Sequence, residues 1–234
     1  MSIGETVEPE PRIFYLGDCE KTIRLFTFFY LVQDEDRTVL VDTGVAQEDN
    51  AFNAGLVQPP ELHPIRQLEA RGVKPDDVDA VILTHLHWDH FAPHVERFTN
   101  AQVYVNAKEL DVALNPPHPW FGKFIYQDTV RKMHVEGKLH VLNGDQEVLP
   151  GISVMQTGGH TAGGQSVIVQ TASGPAVLTG DVCFTYRNLE EDVPGGFNSN
   201  LMECFSGLEK IRRIGGIVMP SHDPLLLERY PDGI

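Results

Sequence analysis

Apolar residues in this chain fall mostly in short runs bounded by turn residues, and less often in the i, i+3, i+4 rhythm of a helix, which predicts a strand-rich fold. In the first third, Ile13 to Leu16, Ile23 to Val32 and Thr38 to Val41 read as strands, and the turn at Asp34-Glu35-Asp36 makes the second and third a hairpin. Residues 45–60 read as a loop ending in Pro59-Pro60. A helix is expected from Pro64 to Arg71, with Ile65 and Leu68 on one face and Gly72 as its stop. Pro75-Asp76-Asp77 then leads into Ala80-Val81-Ile82-Leu83, which is apolar without alternation and therefore reads as a buried strand.

Further on, Gln102 to Val105 reads as a strand and Lys108 to Leu114 as a short helix. Asn115-Pro116-Pro117-His118-Pro119-Trp120 is expected to be irregular, because its prolines remove donors and fix the backbone. The second half continues with strands at Leu139 to Leu142, Ile152 to Gln156, Ser166 to Thr171 and Ala176 to Thr179. A helix over Ser199 to Ile214 and a last strand, Ile217 to Met219, follow. No repeat or linker interrupts the pattern, so a single domain over 1–234 is expected, with two sheets packed together and helices outside.

Four of these strands end in residues of one chemical kind. The strand at 80–83 runs into His85-Leu86-His87-Trp88-Asp89-His90, and Ile152 to Gln156 leads to Gly158-Gly159-His160-Thr161. Ala176 to Thr179 leads to Gly180-Asp181, and Ile217 to Met219 to Ser221-His222-Asp223. In an extended segment, residues two apart share a face, so His85 and His87 can meet one ion, with Asp89 and His90 turned toward a second. A lone histidine in a turn is more often just a polar loop residue; the recurrence at successive strand ends makes a metal site the better reading.

This ordered set resembles the metallo-β-lactamase superfamily, in which HxHxDH is followed by Gly-His, an Asp at a strand end and a final His. The resemblance covers nearly the whole chain, from Val39-Leu40-Val41-Asp42-Thr43-Gly44 to His222. It implies a four-layer αβ/βα sandwich, an α/β (α+β) fold. It also implies two Zn²⁺ ions, one on His85, His87 and His160, the other on Asp89, His90 and His222, with Asp181 bridging.

Within the superfamily, Gly159-His160-Thr161-Ala162-Gly163-Gly164-Gln165-Ser166 and the short C-terminal region look most like the N-acyl homoserine lactonase branch. Two positions depart from it. Those lactonases usually carry a Tyr three residues after the bridging Asp, where this chain has Phe184. They also usually continue DHAG or DHxGG, where this chain reads Asp89-His90-Phe91-Ala92-Pro93. Tyr186 stands in for the missing Tyr only if the strand end bulges.

Metal choice also follows from ligand chemistry. Imidazole with carboxylate suits zinc, iron, manganese or cobalt, and zinc is the usual hydrolytic ion because it is redox-inert and a good Lewis acid. Asp42, Thr84, Thr161 and Asp223 are candidates to accept hydrogen bonds from the ligating imidazoles. Phe28, Phe52, His118, Trp120 and Phe184 are candidate walls of a substrate pocket. His63, His94, His134 and His140 read as surface or loop histidines.

Composition narrows the partners. A net charge of −15, from 18 Lys+Arg against 33 Asp+Glu, opposes binding to nucleic acid. The three scattered cysteines, Cys19, Cys183 and Cys204, suggest neither a disulfide framework nor a thiolate metal site, which fits a reducing cytoplasm. The N-terminus lacks the pattern of a signal peptide and no run is long enough for a membrane span, so a soluble, cytoplasmic protein without membrane partners is expected. The sequence leaves a homodimer open.

The expected activity is hydrolysis of a small-molecule lactone or ester, N-acyl homoserine lactones first, by a hydroxide shared between the metals, with Asp89 as proton carrier. Hydrolysis of another ester, a thioester as in glyoxalase II, an amide or a carbamate is the alternative. A metal-binding protein without turnover is the remaining one.

Overall fold

The computed structural model describes residues 1–52 and 55–234, and the chain divides into two compact units, Met1–Thr6 with Thr27–Leu142 and Val7–Phe26 with Asn143–Ile234. Positions 53 and 54 of the expected 45–60 loop lie outside the described residues. Strands β1 (Ser2–Pro9) and β2 (Thr22–Phe28) pair with each other and flank a one-turn helix, α1 (Glu10–Ile13). That helix takes part of the strand expected at Ile13 to Leu16. Pro11 in its first turn has φ preset for a helix, and Leu16 follows at φ 59°.

In the first unit, β3 (Tyr30–Gln33), β4 (Thr38–Val41), β5 (Ala80–Ile82), β6 (Gln102–Asn106) and β7 (Leu139–Leu142) form one sheet in that order. β3 and β4 make the expected hairpin, with Gln33 opposite Thr38. The expected long strand at 23–32 is divided at Phe29, whose N–H donates to the Met1 carbonyl at 3.0 Å. β4 to β7 are parallel, and parallel sheets are covered on both faces, which is why Val39-Leu40-Val41 and Ala80-Val81-Ile82 are buried at every position.

Among the described residues this unit carries the helices α2 (Pro64–Glu69), α3 (Ala107–Leu114), α4 (Pro119–Gly122) and α5 (Gln127–Val135). Buried apolar residues of α2, α3 and α5 join the sheet in one core that includes Leu40, Leu68, Val81, Leu83, Val103 and Met133. α4 corrects the expectation of irregular chain through Trp120, because Pro119 occupies a first helical position, where its missing N–H costs nothing. Val41 stands beside Ile82 in the parallel register, so β4 and β5 end at one edge and release Asp42 and Thr84-His85 there.

The second unit has a sheet of its own, ordered β12-β11-β10-β9-β8, from β8 (Gln146–Leu149), β9 (Ile152–Gln156), β10 (Gln165–Thr171), β11 (Gly174–Leu178) and β12 (Ile217–Met219). β8 to β11 alternate in direction, whereas β11 and β12 are parallel. β9, β11 and β12 therefore point the same way. The chain after each of them emerges at one edge, with His160, Asp181 and His222 just beyond.

Helices α6 (Tyr186–Glu190), α7 (Leu201–Ile214) and α8 (Leu225–Arg229) complete this unit. Along α7 the buried residues Cys204, Gly207, Leu208 and Ile211 follow helical spacing, and Leu208 and Ile211 share a core with Met155, Val177 and Val182. Asn200 caps the helix by accepting from the N–H groups of Met202 and Glu203. Gly207 is required by the close approach, since a Cβ there would stand 2.5 Å from Val182 Cγ2. Among the described residues no helix is long and apolar enough to cross a membrane.

Candidate metal centre

In the first unit the chain leaving β5 turns tightly, with His90 and Phe91 both donating their N–H to the His87 carbonyl, at 3.0 and 2.9 Å. The turn gathers the hexapeptide's imidazoles: ring centroids of His85 and His87 are 4.8 Å apart, and those of His85 and His90 4.2 Å. Asp89 Oδ2 lies 3.7 Å from His90 Nε2. Four nitrogen and oxygen donors thus sit on one short stretch of chain.

Asp42 holds this stretch from below. Its backbone is left-handed, φ 59°, a conformation that Asp and Asn tolerate better than most residues. The carboxylate accepts from Thr84 N–H at 2.7 Å, Thr84 Oγ1–H at 2.8 Å and His90 Nδ1–H at 2.8 Å. Thr84 Oγ1 in turn accepts from His85 Nδ1, 3.1 Å away. Because Thr84's hydroxyl proton is given to Asp42, the hydroxyl can only accept from the ring, so both His85 and His90 carry their proton on Nδ1 and present Nε2 as the basic nitrogen.

The second unit reaches the same tautomer by another route. His160 Nδ1 donates to the Phe197 carbonyl at 2.8 Å and His222 Nδ1 to the Phe26 carbonyl at 2.9 Å. Their Nε2 atoms face one carboxylate: His160 Nε2 lies 3.3 Å from Asp181 Oδ2, and His222 Nε2 3.1 Å from Asp181 Oδ1. Each oxygen of Asp181 is thereby matched to a different imidazole, an arrangement suited to a carboxylate shared between two cations.

These contacts revise two expectations. Thr161 and Asp223 do not back the imidazoles, since backbone carbonyls occupy that place. Asp223 instead accepts from the N–H groups of Tyr186 and Leu225, and buried Thr161 Oγ1 has no hydrogen-bond partner among the described residues. Tyr186 is also engaged elsewhere: its hydroxyl donates to the Val218 carbonyl of β12 at 3.1 Å, and Arg229 stacks on its ring. Burial pushes that phenol up to about 12. The expectation of a catalytic hydroxyl at Tyr186 is corrected accordingly.

The turn before His160 leaves no room for a side chain. Gly159 has φ +86°, and a Cβ there would stand 2.6 Å from Cys204 Sγ and 2.7 Å from Cys204 N, while its N–H donates to Glu203 at 3.0 Å. Gly159→Ala should cost about 3 kcal/mol, combining backbone strain with overpacking against α7. Gly72, also left-handed at φ +78° but with open space around it, is the control. Urea unfolding of both Ala variants checks this, and equal midpoints would refute the packing argument.

Of the expected pocket residues, Phe28 is only 1% exposed and stacks on Tyr30, so it is core and not wall. Phe184 is likewise buried with Ile13, Phe14 and Leu25, its ring set against His160 and His222 at 5.4 and 5.6 Å. It braces those imidazoles. His118 is exposed and caps α4 by accepting from Trp120 N–H, and Trp120, 52% exposed, meets Phe124 edge-on.

Phe52 sits in a small aromatic group with Tyr126 (5.0 Å) and Trp88 (6.3 Å). Trp88 stands in sequence between His87 and Asp89, so this group adjoins the donor-bearing turn. The Tyr126 phenol is pushed up to about 12 by burial, with the negative charges of Asp49 and Asp89 acting in the same direction. It therefore stays protonated at neutral pH. Neither Trp88 as a neighbour of the donors nor its partnership with Phe52 and Tyr126 was singled out from the sequence.

The donor set tests whether metal fits. His85, His87, Asp89 and His90 in the first unit, and His160, Asp181 and His222 in the second, each offer imidazole nitrogen with carboxylate oxygen, donors of the kind that suit zinc. In His85, His90, His160 and His222 the Nδ1–H is tied to an oxygen acceptor, the usual support of a ligating histidine.

Comparison with known proteins places this arrangement. The sequence matches the model of the metallo-beta-lactamase superfamily over residues 22–219. An N-acyl homoserine lactonase of Bacillus thuringiensis is 31% identical over 207 residues, covering 83% of this chain and 78% of that protein. The N-acyl homoserine lactonase AttM of Rhizobium johnstonii is 30% identical over 219 residues, covering 84% of this chain and 81% of its own.

A solved structure of an N-acyl homoserine lactone hydrolase, with its product N-hexanoyl-L-homoserine at the catalytic metal center, matches with a TM-score of 0.82. It is 25% identical and covers 100% of this chain and 97% of that one. The chain belongs to the metallo-β-lactamase superfamily and has its fold.

Proposed function

We propose that this protein is a dinuclear zinc hydrolase that opens the ring of N-acyl homoserine lactones. The observation that carries the reading is Asp181, whose two oxygens face His160 and His222 separately, together with the likeness to the lactonases. In this reading the units act as one domain over 1–234. His85, His87 and His160 hold one zinc, Asp89, His90 and His222 the other, and Asp181 is shared.

Such a pair of ions, when bound, supplies Lewis acidity toward a carbonyl oxygen and brings the pKa of water toward neutrality. The chain's own residues supply orientation and proton transfer. Asp42 and Thr84 fix His90 and His85 from the first unit, and the Phe197 and Phe26 carbonyls fix His160 and His222 in the second. Asp89, whose carboxylate is partly exposed beside His90, carries a proton to the departing alkoxide. Phe184 brings no hydroxyl where the lactonases usually have a tyrosine, and the loss of one such donor costs about 10²- to 10³-fold elsewhere. Substrate placement here relies on other contacts, among them the Phe52, Trp88 and Tyr126 group.

The test is zinc-loaded protein assayed by proton release against N-hexanoyl homoserine lactone, an aryl ester, a thioester and a chromogenic phosphodiester. Lactone turnover should lead, at a kcat/KM of about 10⁴ M⁻¹s⁻¹ or more. Chelation should abolish it and about two equivalents of zinc restore it. Faster turnover of the thioester or ester would reassign the substrate, and full activity in metal-free protein would overturn the mechanism.

A further inference from the structure

His94 is a buried histidine that the proposed chemistry does not use. It follows the metal-ligand turn on a 3-10 turn, Pro93–Arg97, and is 6% exposed, which corrects its reading as a surface or loop residue. Its Nε2 lies 3.1 Å from the Thr43 carbonyl, and its Nδ1 is at ion-pair distance, 3.3 Å, from Asp49 Oδ2. The His94 ring beside it, through its hydrogen-bonding nitrogen first, holds the Asp49 carboxyl below the usual carboxylate range.

Asp49 belongs to a second 3-10 turn, Gln47–Asp49, and each of its three residues is tied down by a side chain from elsewhere in the first unit. Gln47 N–H donates to Gln58 Oε1 at 2.7 Å, and Gln58 Nε2 donates onward to the Ile3 and Val45 carbonyls. Glu48 meets His63 Nε2 at 2.9 Å. Asp49 is held twice, by His94 at its carboxylate and by the Tyr126 hydroxyl at its carbonyl.

Asp49 therefore governs two rings of the aromatic group at once. Phe52 follows it by three residues, and Tyr126 is anchored on its carbonyl. Of the two imidazole ties, that of Asp49 runs to the more deeply buried ring, 4% exposed for His94 against 14% for His63, and removing a buried polar group leaves its neighbour without compensation.

We propose that His94, acting through Asp49, is a positioning residue that sets the Phe52–Trp88–Tyr126 wall and so selects substrates by the length of their acyl chain. The proposal rests on the lactonase reading for its substrate. His94 touches neither the reacting atoms nor the proposed metal ligands' side chains; it fixes where the wall stands.

The experiment compares N-butanoyl and N-decanoyl homoserine lactones in zinc-loaded wild type, His94→Ala, His94→Gln, Asp49→Ala and the double Ala variant. His94→Ala should raise KM for the decanoyl substrate about tenfold, a typical yield of altered apolar fit. KM for the butanoyl substrate, kcat and bound zinc should stay within about twofold. His94→Gln, which keeps N–H donors at a similar reach, should recover most of the loss, and the double variant should be no worse than either single one.

A KM rise equal for both chain lengths, a fall in kcat with loss of zinc, or additive effects of the two substitutions would each overturn the proposal. If the Ala variants do not fold, His94→Gln and Asp49→Asn carry the same comparison. Amide exchange at residues 47–52, measured without substrate, separates this proposal from its parent. Should wild type open neither lactone, the lactonase reading falls, while unchanged protection in His94→Ala would sink the positioning role by itself.

Discussion

Asp181→Ala should lower lactone kcat/KM by about 10³-fold or more, and the purified variant should retain less zinc than wild type. The reason lies in what the side chain separates. Its oxygens stand 3.3 and 3.1 Å from the Nε2 atoms of His160 and His222, both imidazoles being held by backbone carbonyls. Without the carboxylate, two nitrogen donors remain with no shared anion to balance paired cations. If the metals contribute several kcal/mol of transition-state stabilisation, as Lewis-acid sites do, each 1.4 kcal/mol lost is about tenfold in rate. Metal analysis, kinetics and a thermal melt of the same sample form the measurement. A variant that keeps its zinc and works within tenfold of wild type would remove Asp181 from the proposed centre.

The second large effect is expected at Asp42, which never approaches a metal in the proposed scheme. Asp42→Asn keeps the volume and tolerates the left-handed backbone, but it places an NH₂ where one oxygen accepted a proton from Thr84 or His90. Loss of such support typically weakens metal binding about 10- to 100-fold. Asp42→Ala should be worse in a different way. It leaves buried donors of Thr84 and His90 without their acceptor, at about 1–3 kcal/mol each, and puts a Cβ-bearing residue with no side-chain compensation at φ 59°. Competition with a chromogenic zinc chelator reads the first effect and urea unfolding the second. Unchanged zinc affinity in Asp42→Asn would show that His90 does not depend on this hydrogen bond.

The apolar runs were the legible part of the fold. Leu139–Leu142, Ile152–Gln156 and Ile217–Met219 are strands at the limits the sequence suggests, because their ends coincide with turn residues. α5 was not legible: only Val130 and Met133 of its nine residues are buried, too few to declare a helical stripe. β1 escaped notice because its latter half, from Val7 to Pro9, is not buried, and the alternation that marks a strand is lost there.

The candidate donors could be nominated because ligand chemistry restricts residue type and each follows an apolar strand. Their supports were only half legible. Asp42 is a side chain and could be nominated, whereas the carbonyls of Phe197 and Phe26 could not, because every residue has one and only folding selects which is used. Thr161 and Asp223 were nominated by proximity in sequence, and the imidazoles turned to the backbone instead. His94 was misread because it lies on a short 3-10 turn, and burial of such a turn by a neighbouring one leaves no periodicity.

The two units hold their histidines by different means, and this bears on how such a protein can change over generations. For His85 and His90 in the first unit the Nδ1 acceptors are side chains, so a single codon change at 42 or 84 alters the basicity and aim of His90 or His85. In the second unit the acceptors are main-chain carbonyls, which no point substitution deletes. Point substitution can therefore retune the support of a histidine in the first unit, whereas in the second it can change the histidine itself but not the carbonyl that holds it.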